Sequence, residues 1–387
     1  MRTNRCREVE VTAPLRVLVV VSNDYGELGS AMYFLRGLAA EASAVILLPQ
    51  SLRHALPGRP DVHCYASLAD IRSHMDAERL DAVLLFSGYL LTVGRSRSLL
   101  ASLRLLRLAR ARGLPVLTSD PFIGLIAGPA SLDFASVIER GSAWARRLAG
   151  WRLGARMTIM RWALRRAWHL YPAPLDGLPP SAHAARALAY ASAPSGPVAG
   201  APGARWIFVL SEIDYRMQLG HDAASFVPAL AARLQEAIAF GKHPVVVAPR
   251  SLLDEVARHL PQEAFTPVHQ ADYAAFMEAL LEAEYAFFWN YYSFSIIHRV
   301  LHERPVMFFA EGHMVRIVPA LSDAGVRLFY AGWRPPLLRV GDPFDRSELA
   351  ARAREAAIQF ARIRSGIGAC ETPMAVLSRV VDAAPPR

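Results

Sequence analysis

The sequence predicts an α/β protein of two Rossmann-like halves that face each other across a cleft. Three observations carry this. Short apolar runs alternate with amphipathic segments between residues 16 and 171, as in a parallel sheet covered by helices on both faces. A second series of the same kind runs from 206 to 309. Between them the stretch Pro194-Ser195-Gly196-Pro197-Val198-Ala199-Gly200-Ala201-Pro202-Gly203 has the composition of a linker. A chain of 387 residues that is 53% hydrophobic can bury two cores.

In the first half the expected strands are 16–21, 44–48, 82–86, 115–118 and 169–171, with helices at 31–41, 68–75 and 99–112. Gly113 stands where the last of these helices should stop, and Pro115 opens the next strand. In the second half strands are expected at 206–210, 244–248, 285–290 and 306–309. The helices between them fall at 226–240, 252–259, 273–282 and 295–302. A long closing helix at 345–364 has Asp345 or Ser347 as its N-cap. The expected division is a first domain at 1–175, a Pro/Gly/Ala-rich linker at 176–204, a second domain at 205–344, and a closing helix and tail at 345–387.

Composition narrows the class. No apolar run approaches the ~18 residues of a membrane-spanning helix, and residues 1–10 lack the apolar core of a secretory signal. Cys6, Cys64 and Cys370 are odd in number and far apart, which fits a reducing cytoplasm rather than a disulfide framework. The net charge of +9 comes almost wholly from arginine, since Lys242 is the only lysine. Abundant arginine, alanine and proline read as the coding bias of a GC-rich bacterial genome. The charge is uneven all the same: fourteen arginines lie between Gly94 and Trp168, against Asp120, Asp133 and Glu139. Within 143–168, Trp144, Trp151 and Trp162 are interleaved with Arg146, Arg147, Arg152, Arg156, Arg161, Arg165 and Arg166. Tryptophan with arginine on an amphipathic helix is a membrane-surface pattern; a helix packed on its own domain with a solvated arginine face is the plainer account.

Ligands of open parallel sheets bind beyond the carboxyl ends of the strands, so the loops there hold the candidates. The first, 22–30, carries Asp24 and Glu27 among Gly26 and Gly29. A carboxylate at a cleft edge can take a proton from an acceptor hydroxyl; alternatively Asp24 only caps the following helix. The second is Asn290-Tyr291-Tyr292-Ser293-Phe294-Ser295, which opens a helix containing His298. Ser293, Ser295 and the free N–H groups of that helix end suit a diphosphate. The third, 310–316, offers Glu311 and His313 for sugar hydroxyls and Arg316 for phosphate charge. The fourth, 211–220, offers Arg216 as a phosphate partner, although Glu212 or Asp214 is its nearer ion-pair partner. His298 and His302 share a helical face, but no HExxH pattern or added carboxylates accompany them, so no metal site is expected. Neither GxSxG nor a GxxxxGK[ST] loop occurs.

Together the two halves, the acidic first loop and the helix N-terminus of the second half resemble the GT-B glycosyltransferases over nearly the whole chain. The segment Asn23-Asp24-Tyr25-Gly26-Glu27-Leu28-Gly29 is similar to the Asp-Asn-Tyr-Gly-Asp-Ile-Gly loop of the bacterial protein-arginine rhamnosyltransferases, whose acidic residues face the acceptor. That likeness implies Glu27, then Asp24, as base. The family's Arg-Gly-Glu-Asp-Ser-Phe stretch is echoed by Asn290-Tyr291-Tyr292-Ser293-Phe294 without its carboxylates. The run from Ser293 to Pro305 resembles the sugar-nucleotide site of the peptidoglycan-type GT-B transferases. There a glutamate holds the ribose, and His298 takes its place here, counting back from Pro305.

The resemblance implies a cytoplasmic, metal-independent glycosyltransferase with no cofactor beyond its nucleotide-sugar co-substrate. The first half would take a saccharide or lipid-linked acceptor and the second half the donor, with peripheral contact at the inner membrane face through 143–168 and no nucleic acid partner. Donor-binding residues would be Arg216, Asn290, Ser293, Ser295, His298, Glu311, His313 and Arg316. A sugar epimerase, a polysaccharide pyruvyl transferase and a non-catalytic GT-B-like binding protein share the architecture and stay open.

Overall fold

The computed structural model describes residues 14–22, 25–38, 41–92, 98–119, 134–135, 142–175, 186–193, 203–222, 224–269, 271–291, 293–312 and 319–384. The first half comprises β1 (Leu15–Val21), α1 (Tyr25–Arg36), β2 (Ala42–Pro49), β3 (Val62–Tyr65), α2 (Leu68–Ala77), β4 (Ala82–Phe86), α3 (Leu99–Ala111), β5 (Val116–Ser119), α4 (Ala143–Leu164), β6 (Trp168–Tyr171) and β7 (Ala187–Ala189). The second comprises β8 (Arg205–Val209), α5 (Glu212–Asp222), α6 (Phe226–Ala239), β9 (His243–Val247), α7 (Arg250–Val256), β10 (Thr266–Val268), α8 (Tyr273–Glu282), β11 (Tyr285–Phe288), α9 (Phe294–Leu301), β12 (Val306–Phe309), α10 (Pro319–Phe329) and β13 (Leu337–Leu338). Two closing helices follow, α11 (Arg346–Gly368) and α12 (Pro373–Asp382).

The strands form two sheets, ordered β3-β2-β1-β4-β5-β6-β7 and β10-β9-β8-β11-β12-β13. Every pairing between them is parallel. Strand β1 shows why its run is apolar without a break. Val17, Val19 and Val21 enter one core cluster, while Leu18 and Val20 enter another on the opposite face. In each sheet the strand order reverses once, between β1 and β4 and between β8 and β11. Such reversals open the crevice where ligands bind, so the topology selects the segments after β1, β4, β8 and β11.

The halves are joined by more than a linker. One core cluster runs from Val17 and Phe34 in the first half to Ile207 and Phe294 in the second. Helix α1 is the seam. Tyr25 donates its hydroxyl to the Ala271 carbonyl at 3.2 Å, and the Tyr33 ring lies 5.0 Å from that of Phe294. A Cβ on Gly29 would stand 2.8 Å from the Phe294 ring, so only glycine lets α1 come this close to α9. Helix α11 crosses from the second half to the first, and α12 packs there, with Pro373 against Gly37.

Several expected elements shift. Helix α1 begins at Tyr25 rather than at residue 31, so Glu27 lies in its first turn and not in a loop. Gly29, which read as loop punctuation, serves helix–helix approach, and an acidic first turn suits the helix dipole. Segment 211–220, expected as a loop, is mostly helix α5. Within 176–204, Ala187–Ala189 pairs with β6 as an edge strand. Asp345 is the N-cap of α11, accepting from the amides of Ser347 and Glu348 at 2.7 and 3.1 Å.

One buried cation organises the second half. The guanidinium of Arg299, on α9, is fully buried and, among the described residues, donates to backbone carbonyls. It reaches Leu280, Ala283 at 3.0 Å, Glu284 at 3.1 Å and Pro305 at 2.6 Å. These carbonyls belong to the end of α8, the start of β11 and the start of β12, so one side chain ties three elements together. Burial, then Arg304 nearby, draws its pKa down to about 9.

Candidate active site

A cavity of about 160 Å³ lies where the two sheets' reversal points face each other. Gly26, Glu27 and Ser30 of α1 meet Ser119 at the end of β5, Tyr171 at the end of β6 and Tyr190 on the first-half side. Tyr291, Ser293 and Phe294 enter from the second half, and Ile363 and Ile367 of α11 close it. Apart from Glu27 and three serines the lining is apolar or aromatic. The carboxylate of Glu27 accepts the Ser119 hydroxyl at 2.7 Å on Oε2, which fixes its rotamer toward the cavity. Tyr190 is fully buried and donates to the Ser30 carbonyl at 3.4 Å. Burial, then the neighbouring Tyr33 and the charge of Glu27, holds its phenol well above the ordinary range, so it stays a neutral donor.

Beside this cavity, on the other face of α9, is a second one of about 600 Å³. Met32 and Arg36 of α1 and the turn at Leu56, Pro57 and Arg59 form one wall; Asp272, Tyr273 and Met277 of the α8 region and His298 of α9 form the other. His298 is almost wholly buried. Burial, then the charges of His302 and Arg36, lowers its pKa to about 3, so the ring is neutral at physiological pH. Its Nε2 and the Tyr273 hydroxyl have no hydrogen-bond partner among the described residues. Both atoms are buried, and a neutral imidazole nitrogen can accept a hydrogen bond.

The predicted donor residues divide. Ser293 caps α9, accepting the Ser295 amide at 3.3 Å, and lines the first cavity. His298 lines the second. Asn290 is held instead by Asp214, donating at 3.0 Å to a carboxylate that also accepts the Ser211 hydroxyl at 2.6 Å. Arg216 points to solvent and pairs with Glu212 at 2.5 Å, so it is not brought to the cleft. Glu311 accepts the Val340 amide at 3.2 Å and steadies the end of the second sheet. Ser295 is buried and lines neither cavity. Asp24, His313 and Arg316 lie outside the described residues. Among the described residues no three His, Cys, Asp or Glu side chains come together as a metal set. Sequence reasoning assigned no role to Ser119, Tyr190 or Arg299: the partners of the first two lie 92 and 160 residues away, and Arg299 gathers carbonyls 6 to 19 residues away.

The neutral His298 makes the fold acid-sensitive. An unfolded histidine takes a proton below about pH 6.5, whereas folded His298 resists until about pH 3. Between those values the unfolded state binds more protons, so stability falls as pH drops through the window, by up to ~1.4 kcal/mol per unit. Melting temperatures of the wild type and His298→Gln at pH 7.5, 5 and 4 check this. The wild type should lose more stability on acidification, and parallel curves would refute the assignment.

No protein-family model matches the sequence, and no curated protein matches it. Solved structures do match its shape. The kitacinnamycin glycotransferase superposes with a TM-score of 0.57 at 14% identity, covering 96% of this chain and 100% of that one. A UDP-glucosyltransferase from Polygonum tinctorium gives 0.54 at 12% identity, covering 96% and 99%. A spinosyn rhamnosyltransferase gives 0.52 at 14%, covering 95% and 100%. The chain has the GT-B fold, two Rossmann-like domains matched end to end.

Proposed function

We propose that this chain is a glycosyltransferase whose two cavities divide the work across the seam between α1 and α9. The carrying observation is Glu27, a carboxylate set by Ser119 at the meeting point of the two reversal points. In this reading Glu27 takes the proton of an acceptor hydroxyl in the first cavity. The acceptor oxygen bonds to the anomeric carbon of the donor sugar, and the bond from that carbon to the diphosphate oxygen breaks. The nucleoside diphosphate leaves with the electron pair, its charge facing the α9 N-terminus capped by Ser293. The second cavity takes the nucleoside, with His298 Nε2 accepting a ribose hydroxyl. Its volume of about 600 Å³ falls within the roughly 300–1,000 Å³ of ligand sites. The first cavity is smaller than that, so sugar entry requires Phe294 to withdraw from Gly29. The mechanism uses no metal ion. The acceptor is a saccharide or a lipid-linked molecule.

A second reading is a GT-B-like protein that binds but does not transfer. The packing of Phe294 on Gly29, between the two helix N-termini, favours it. Melting curves with UDP, GDP, CDP, dTDP and CMP sugars separate the two. The transferase reading expects one nucleotide class to raise the melting temperature by several degrees, as about 2.7 kcal/mol of linkage at a hundredfold excess over Kd would give. Stabilisation by none of them would overturn it.

A further inference from the structure

Helix α4 has two apolar faces, and among the described residues only one is packed into the fold. Met157, Met160 and Leu164 are buried against the first half, and Gly150 is covered by the backbone at Ala135, 2.5 Å from where a Cβ would stand. On the opposite side Trp144, Trp151 and Trp162 are 72%, 71% and 61% exposed. Their spacings of seven and eleven residues are close to two and three full turns, so the indoles form one line of about 27 Å along the helix. At 100° per residue, Arg147 and Arg161 flank that line on one side, and Arg152 and Arg156 on the other. The Arg165 guanidinium sits 4.7 Å above the Trp162 ring. Neither α4 nor α3, which packs beside it, contains a carboxylate. Helix α3 adds exposed Leu100, Arg104 and Arg107.

We infer that α4 docks this protein flat on an anionic lipid bilayer. Indoles settle at the boundary between headgroups and acyl chains, while arginines on both flanks meet anionic headgroups and keep their stems on apolar surface. No helix among the described residues is long and apolar enough to cross a membrane, so the contact is peripheral. The docked helix also orients the site. Helix α4 packs against the turn Gly88–Thr92, whose Leu90 lines the Glu27 cavity. The acceptor class that follows, a hydroxyl carried on a lipid, rests on the transferase reading; the docking does not.

Flotation of the full chain with vesicles tests this without turnover. Phosphatidylglycerol-containing vesicles should bind the protein at least about tenfold more tightly than pure phosphatidylcholine, with a blue shift of tryptophan emission. Replacing Trp144, Trp151 and Trp162 together by serine should cost at least about tenfold in binding at an unchanged melting temperature, because these side chains face solvent. Glu27→Gln should bind vesicles as the wild type does, so a failure of docking and a failure of catalysis read separately. Absence of wild-type binding to anionic vesicles, equal binding by the triple variant, or binding to an oligonucleotide in place of vesicles would each overturn the inference.

Discussion

Replacing Glu27 by glutamine is expected to slow sugar transfer by about 10²–10⁴-fold, the usual worth of a positioned general base. Glutamine keeps the length of the side chain and can still accept the Ser119 hydroxyl, whose 2.7 Å bond orients the group. What it loses is the capacity to take a proton. The melting temperature and the affinity for the stabilising nucleotide should therefore stay near the wild-type values. Full activity of Glu27→Gln would remove the base assignment. Transfer rates with a fixed donor, measured beside the melting curve, distinguish lost chemistry from lost folding.

The largest expected effect on stability is at Arg299. Its guanidinium answers four backbone carbonyls, those of Leu280, Ala283, Glu284 and Pro305, and is fully buried. Arg299→Leu leaves these acceptors buried and unanswered. A buried polar group without a partner costs ~1–3 kcal/mol, so a loss of about 3–5 kcal/mol is expected after partial relaxation. That is a large share of the roughly 5–15 kcal/mol that holds a typical domain together. Arg299→Lys keeps the charge but not the planar fork, and should fall between the two. Urea denaturation reads the difference as a lower midpoint, and a change below about 1 kcal/mol would show that the carbonyls find other partners.

Much of the architecture was legible because the apolar pattern is regular. The segments 82–86, 273–282 and 306–309 have the bounds expected from sequence, since each is a short buried strand or a well-capped helix. Edge strands were not legible: Val62–Tyr65 is half exposed, and Ala187–Ala189 has only three residues. Gly29 helped hide the start of α1, because a glycine that admits Phe294 looks the same in sequence as one that makes a loop. The site was legible in part. Glu27 and His298 stand out by type and position, but their separate cavities depend on how α1 and α9 cross. Arg299 resembles any arginine on an amphipathic helix; only the convergence of three elements makes it structural.

The division of labour between the cavities has one most direct measurement. Calorimetric titration of the stabilising nucleoside diphosphate should be run on the wild type, His298→Gln and Glu27→Gln, each first shown to be folded by its melting curve. The predicted result is roughly tenfold weaker binding by His298→Gln, the worth of one hydrogen bond to a buried group, and unchanged binding by Glu27→Gln. Loss of the nucleotide by Glu27→Gln with retention by His298→Gln would contradict that division.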